Sequence, residues 1–236
     1  MVTLRDADSQ PNIKNPMKLQ TKAVLNCSSA QELEHRIKEL RAQFPNPTAK
    51  DNDERLVLYT YLRERASEWR YPIRVVHQDR PDFVLFEGDE AIGCECVKLT
   101  TQSLEQGLSI TDADFSVVPR DTTKLLVTQN MDKPQILDTM LGEQAIPTFV
   151  PNADLESTWL GQLINCIEGK TCKAKDYSAA RIHLLVSDRL SFNESDTIDR
   201  VEKFSLTIRQ AVVRSGKFEC VFVAGISHGV VFKYRG

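Results

Sequence analysis

The sequence has no long apolar run: nothing in it approaches the roughly 18 residues that a bilayer-spanning helix needs. Its opening stretch, MVTLRDADSQPNIKNP, lacks the apolar core of a secretory signal, so a cytoplasmic protein with no membrane partner is expected. Glycine and proline are scarce, ten of each, which excludes collagenous and low-complexity classes. The six cysteines form no CxxC pair, which argues against a structural zinc site and a disulfide framework. Positive charge is not in excess either. A net charge of -3 speaks against tight non-specific nucleic-acid binding, yet it leaves room for a nuclease, because a site made of carboxylates is acidic until its divalent cation binds. No P-loop, GxGxxG or GxSxG is present, so nucleotide hydrolysis, a Rossmann cofactor site and serine hydrolase chemistry have no motif behind them.

What is present is an alternation of helical and strand signals. Residues 1 to 27 are polar and weakly periodic and are read as an extended or partly disordered arm. Ser28 and Ser29 offer an N-cap to AQELEHRIKELRAQF, where Leu33, Ile37 and Leu40 recur at helical spacing before Pro45 and Pro47 stop the helix. Residues 1–50 therefore read as an N-terminal arm and helix. The single apolar stripe of that helix fits packing on the core, homodimerisation or a protein partner equally well.

Residues 51–236 read as one α/β domain. A helix is expected from Asp51 to Trp69, with Leu58, Leu62 and Trp69 on one stripe and Glu54 at its inner edge. Strands follow at 71–77 and on either side of a turn at Glu87 to Glu90 in RPDFVLFEGDEAIGCECVKLT. The signal weakens over 101–150, with helices expected at 101–106 and 133–141 and an apolar KLLVTQ between them. A helix running from Asp154 towards Lys170, Lys173 and Lys175 comes next, then a buried strand IHLLV, a helix over 196–214 and a hairpin around Ser227, His228 and Gly229. Together these make an α/β fold with a central mixed sheet flanked by helices.

Two acids in this pattern can carry chemistry. Asp82 and Glu95 are 13 residues apart and fall on adjacent strands of the predicted hairpin, where strands about 5 Å apart can bring side chains together on one face. Like charges so placed are costly unless a cation joins them, and hard oxygen ligands suit Mg²⁺ or Mn²⁺, which activates water and neutralises charge on a phosphoryl oxygen. The same spacing also describes two solvent-facing acids on an ordinary hairpin.

The string Pro81-Asp82-Phe83, a short turn, and Ile92-Gly93-Cys94-Glu95 resembles the core of the PD-(D/E)xK nuclease superfamily over roughly residues 51–190. The resemblance implies a restriction-endonuclease-like fold with a helix before a three-stranded meander and a helix and strand after it. It implies a metal held by Asp82, Glu95 and the backbone carbonyl of Cys96, with Glu54 a candidate further ligand, and a nucleic-acid substrate, DNA. It also exposes a departure. The family pattern asks for a lysine two residues after the glutamate, and Val97 stands there.

Two lysines can supply the missing charge. Lys98 is adjacent, but in a regular strand its side chain points to the face opposite Glu95 unless a bulge turns it back. Lys170 lies four residues beyond Cys166 and seven beyond Leu163, on the inward stripe of its helix. Either would assist the attacking water, and substrate phosphates are expected near Lys170 to Lys175 and Arg63 or Arg65. If neither reaches the site, the chain is a catalytically inactive nuclease-like binding or regulatory module, in a phage or defence setting. Alternation places Cys94 and Cys96 opposite Glu95 as buried thiols, and His77 and His183 read as structural histidines.

Overall fold

The computed structural model describes residues 23–42, 50–113, 125–126, 131–141, 152–177, 179–191, 194–225 and 230–235. Seven strands form one mixed sheet in sequence order: β1 (Ala23–Cys27), β2 (Ile73–His77), β3 (Phe83–Glu87), β4 (Glu90–Leu99), β5 (Arg181–Asp188), β6 (Cys220–Gly225) and β7 (Val230–Arg235). Strands β1 to β4 are antiparallel, β4, β5 and β6 run parallel, and β7 returns antiparallel. The helices are α1 (Ala30–Ala42), α2 (Lys50–Glu64), α3 (Gln102–Ala113), α4 (Lys133–Leu141), α5 (Asn152–Lys173), α6 (Glu194–Lys203) and α7 (Ser205–Ser215). Among the described residues no helix is long and apolar enough to cross a membrane.

Alternation along the strands splits the core in two. Ile92, Cys94 and Cys96 of β4 pack with Leu58, Tyr61 and Leu62 of α2 on one face, while Leu99 joins Trp159, Leu163 and Ile167 of α5 on the other. The parallel β4–β5 pair needs a crossover, and the segment from α3 through α5 provides it. All six cysteines are free thiols, in keeping with the spacing.

Several sequence expectations need correction. Residues 23–27 are not part of an arm: they form β1, whose Leu25 and Cys27 are buried while its backbone pairs with β2. Residues 1–22 lie outside the described residues. Helix α2 stops at Glu64 instead of Trp69, because the chain tightens through Ala66 N–H to Arg63 O and Glu68 N–H to Arg65 O. That turn sets the Arg65 guanidinium 4.2 Å above the Trp69 ring and within 3.0 Å of the Tyr61 hydroxyl. The expected helix 196–214 is two helices that bend at Phe204, whose ring stacks on Trp159 at 6.4 Å. The helix expected at 101–106 continues to Ala113. In KLLVTQ only Leu125 and Leu126 are described, both helical and buried, and the tip at Ser227 to Gly229 also lies outside the described residues.

Candidate active site

The β3–β4 hairpin turns at Gly88, whose φ of 61° suits a residue without Cβ. Its register pairs Phe83 with Cys94, and there β3 ends, while β4 runs on to Leu99. Among the described residues, 95–99 therefore have β5 on one side and no strand on the other. Gly93 fixes how the chain enters this gap: a Cβ there would lie 2.9 Å from Pro81 Cγ, so the missing side chain lets Pro81 press against β4 and sets Asp82 at the end of β3.

Asp82 takes the place of the missing strand. Its Oδ2 accepts the Cys96 N–H at 2.7 Å. In a strand the N–H and C=O of one residue point to the same side, so the Cys96 carbonyl lies on that same bare edge. The Cys96 thiol points to α2 and donates to the Glu54 carbonyl at 3.7 Å. Burial, with Asp82, Cys94, Glu54 and Glu95 adding to it, holds that thiol far above its ordinary range, so it stays protonated.

Glu95 faces the opposite side, towards α5, and both of its oxygens are bonded. Lys170 Nζ donates to Oε1 at 2.5 Å and the Tyr177 hydroxyl donates to Oε2 at 2.7 Å. Lys170 comes from the last turn of α5, and Tyr177 follows a single 3₁₀ turn, Ala174–Asp176, that closes the helix. Burial, reinforced by Glu95 and then Asp82, raises the Tyr177 phenol well above its ordinary value, so it remains a donor at neutral pH. Tyr177 is a site residue that sequence reasoning missed. A tyrosine after a lysine-rich helix end carries no spacing signal, and only the fold brings it to Glu95.

Asp82, Glu95, Cys96, Lys98, Lys170 and Glu54 all line one cleft of about 890 Å³ around the bare edge of β4. Lys98 does not serve Glu95. The β4–β5 register is regular from Ile92 to Leu99, so no bulge turns it round, and its ammonium bonds Asp53 of α2 at 2.5 Å on the other face. Lys173 and Arg80 also line the cleft, whereas Arg63 and Arg65 do not: Arg63 pairs with Glu64, and Arg65 is held by Tyr61, Glu68 and Trp69. Cys94 is buried, as expected. His183 is buried and bonded through Nδ1 to the Tyr61 hydroxyl at 2.6 Å, and burial lowers its pKa to about 4.

Comparison of the chain with protein-family models, with curated proteins and with solved structures returns no match. Only the donor groups of the cleft bear on whether it could hold a metal. Among the described residues no three His, Cys, Asp or Glu side chains stand together as a ready-made cage. A calcium- or zinc-like centre built wholly from protein ligands does not fit. Mg²⁺ asks for less, being commonly held by one or two carboxylates with waters and substrate phosphates completing its shell, and Asp82, Glu95 and the Cys96 carbonyl are the groups that could hold it.

Proposed function

We propose that this chain is a divalent-metal-dependent nuclease acting on DNA, with a restriction-endonuclease-like fold. One observation carries the reading: Lys170 Nζ lies 2.5 Å from Glu95 Oε1, so α5 delivers to the Glu95 face the lysine that Val97 does not supply. The order of elements supports it too, with a helix before the β2–β4 meander and a helix and strand after it.

Asp82 and Glu95, with the Cys96 carbonyl, would hold Mg²⁺ or Mn²⁺, and Glu54 stands at the cleft wall as a further carboxylate. Such a cation makes its bound water a better nucleophile and offsets charge on the phosphoryl oxygens. Lys170, anchored by Glu95, directs its remaining N–H bonds into the cleft, where they orient the attacking water and meet the charge that grows on the phosphate. Tyr177 holds Glu95 Oε2 and so fixes the carboxylate against rotation. Lys173 and Arg80 meet flanking phosphates at the cleft mouth.

Incubation with single- and double-stranded DNA and with RNA in Mn²⁺ tests this. Cleavage of DNA that is absent in EDTA and absent in Glu95→Ala is expected; cleavage that survives Glu95→Ala marks a contaminant and sinks the reading. A second reading, a non-hydrolytic binding module, draws on the fact that both Glu95 oxygens already accept hydrogen bonds. It predicts DNA binding that is indifferent to Mn²⁺, with no cleavage by the unaltered chain.

A further inference from the structure

Lys98 has no part in the chemistry at Glu95, yet it lines the same cleft. Its ammonium bonds Asp53, which is 1% exposed, and the other Asp53 oxygen accepts from Arg189. Two cations thus share one buried carboxylate. Glu105 Oε2 lies 3.8 Å from Lys98 Nζ and its Oε1 is buried, so the two cations face two acids and the group is balanced in charge. Arg189 is held in place because Asp188, the residue before it, accepts from Trp159 Nε1, Ser191 Oγ and the Leu190 N–H.

The β4–β5 register sets Lys98 directly beside Ser187, so both side chains stand on the α2 face at the carboxyl ends of parallel strands, the end of an open α/β sheet where ligands bind. Ser187 is 1% exposed and lines the cleft, and its hydroxyl has no hydrogen-bond partner among the described residues. A buried hydroxyl left unpaired destabilises the fold, and on the cleft wall beside Lys98 it is placed to bond an oxygen that a ligand brings. A phosphate oxygen beside a lysine supplies one.

We propose that Lys98 and Ser187 form a phosphate subsite that holds the phosphate neighbouring the one cleaved at Glu95, with Asp53 and Arg189 as positioning residues. That the phosphate belongs to a nucleic-acid strand rests on the nuclease reading, whereas the phosphate chemistry rests on Lys98 and Ser187 alone. The test uses the full chain in EDTA, a fluorescent single-stranded DNA 12-mer read by anisotropy, and inorganic phosphate read by calorimetry. Ser187→Ala should melt no lower than the unaltered protein, because it loses only an unpaired hydroxyl, and should bind the oligonucleotide about tenfold more weakly. Lys98→Gln should lose more and flatten the salt dependence by about one unit of slope. Unchanged oligonucleotide affinity in Ser187→Ala would overturn the subsite and leave the nuclease reading intact. Binding of inorganic phosphate but not DNA, lost in Ser187→Ala, would keep the subsite and remove the nucleic acid. Binding of neither by the unaltered chain overturns the subsite, while the nuclease reading stands or falls on the Mn²⁺ cleavage assay.

Discussion

Strand β4 carries a lysine–carboxylate pair on each face, and both pairs measure 2.5 Å. Towards α5 the strand supplies the acid, Glu95, and the helix supplies the lysine; towards α2 the strand supplies Lys98 and the helix supplies Asp53. Both acids are buried, at 4% and 1% side-chain exposure. Their second donors differ. Glu95 is completed by a neutral phenol, whereas Asp53 is completed by the Arg189 guanidinium, whose charge Glu105 beside Lys98 offsets. Equal distances therefore make unlike surfaces on one strand. Under the proposed function the Glu95 side, with Asp82, would take a divalent cation and the Lys98 side a phosphate.

The sharpest way to break this contrast is on the α5 face. Lys170→Met should lower Mn²⁺-dependent cleavage by about 10²-fold to 10³-fold, the usual cost of removing one preorganised charge at a reacting phosphate or oxyanion. Adding Val97→Lys should recover part of that loss in single-turnover assays, since Val97 shares the face of Glu95 and lines the cleft. No recovery would mean that the position of the charge on α5, and not its presence on that face, matters.

On the α2 face the effect is on stability. Asp53→Ala strands Lys98 and Arg189 and should cost about 3 kcal/mol in urea unfolding, at the low end for a broken buried pair because Lys98 is partly exposed. Glu95→Gln keeps hydrogen-bond acceptance for Tyr177 and should cost about 1 kcal/mol. Equal losses would erase the distinction between the two groups.

Acid should weaken the α2 face selectively, because His183 is buried there against Tyr61 and Phe222. Burial depresses its pKa from 6.5 to about 4, so the unfolded chain takes up a proton that the folded one refuses. Its contribution is present above pH 6.5 and is lost as pH falls towards 4, about 3 kcal/mol in all at roughly 1.4 kcal/mol per unit. Glu219, lowered to about 2 chiefly by its hydrogen bond from Arg181, acts only below pH 4.5 and so leaves that window to His183. Urea unfolding from pH 7.5 to 4.5 should show the slope, and His183→Gln should remove it. A modest effect is expected of Tyr177→Phe, which keeps the ring and removes one hydrogen bond to Glu95. It should weaken Mn²⁺ binding by about tenfold in calorimetry, the lower end for a group behind a metal ligand, and an unchanged affinity would reduce Tyr177 to packing.

Much of the scaffold was legible because it rests on short-range periodicity. The β3–β4 hairpin, α5 and β5 follow from alternation, helical stripes and a turn glycine, and Asp82, Glu95 and Lys170 could be named from them. The failures have local causes. Strand β1 was hidden because only Leu25 and Cys27 turn inward among polar neighbours, and its pairing partner lies about 50 residues away. The end of α2 and the bend at Phe204 were decided by the contacts of Arg65 with Trp69 and of Phe204 with Trp159, which helical spacing does not reveal.

The sequence by itself determined which face of β4 each side chain takes, since alternation in a regular strand leaves no choice, and so it separated Glu95 from Lys98 and left Val97 in the expected lysine position. Only the tertiary structure decided what meets those side chains. Lys170, Tyr177, Asp53, Arg189 and Ser187 arrive from α5, α2 and β5 with the segments that follow them, and the contacts they make span separations of 45 to 136 residues. A hydrogen bond of 2.5 to 2.7 Å depends on how helices pack over a sheet edge, which no local pattern encodes.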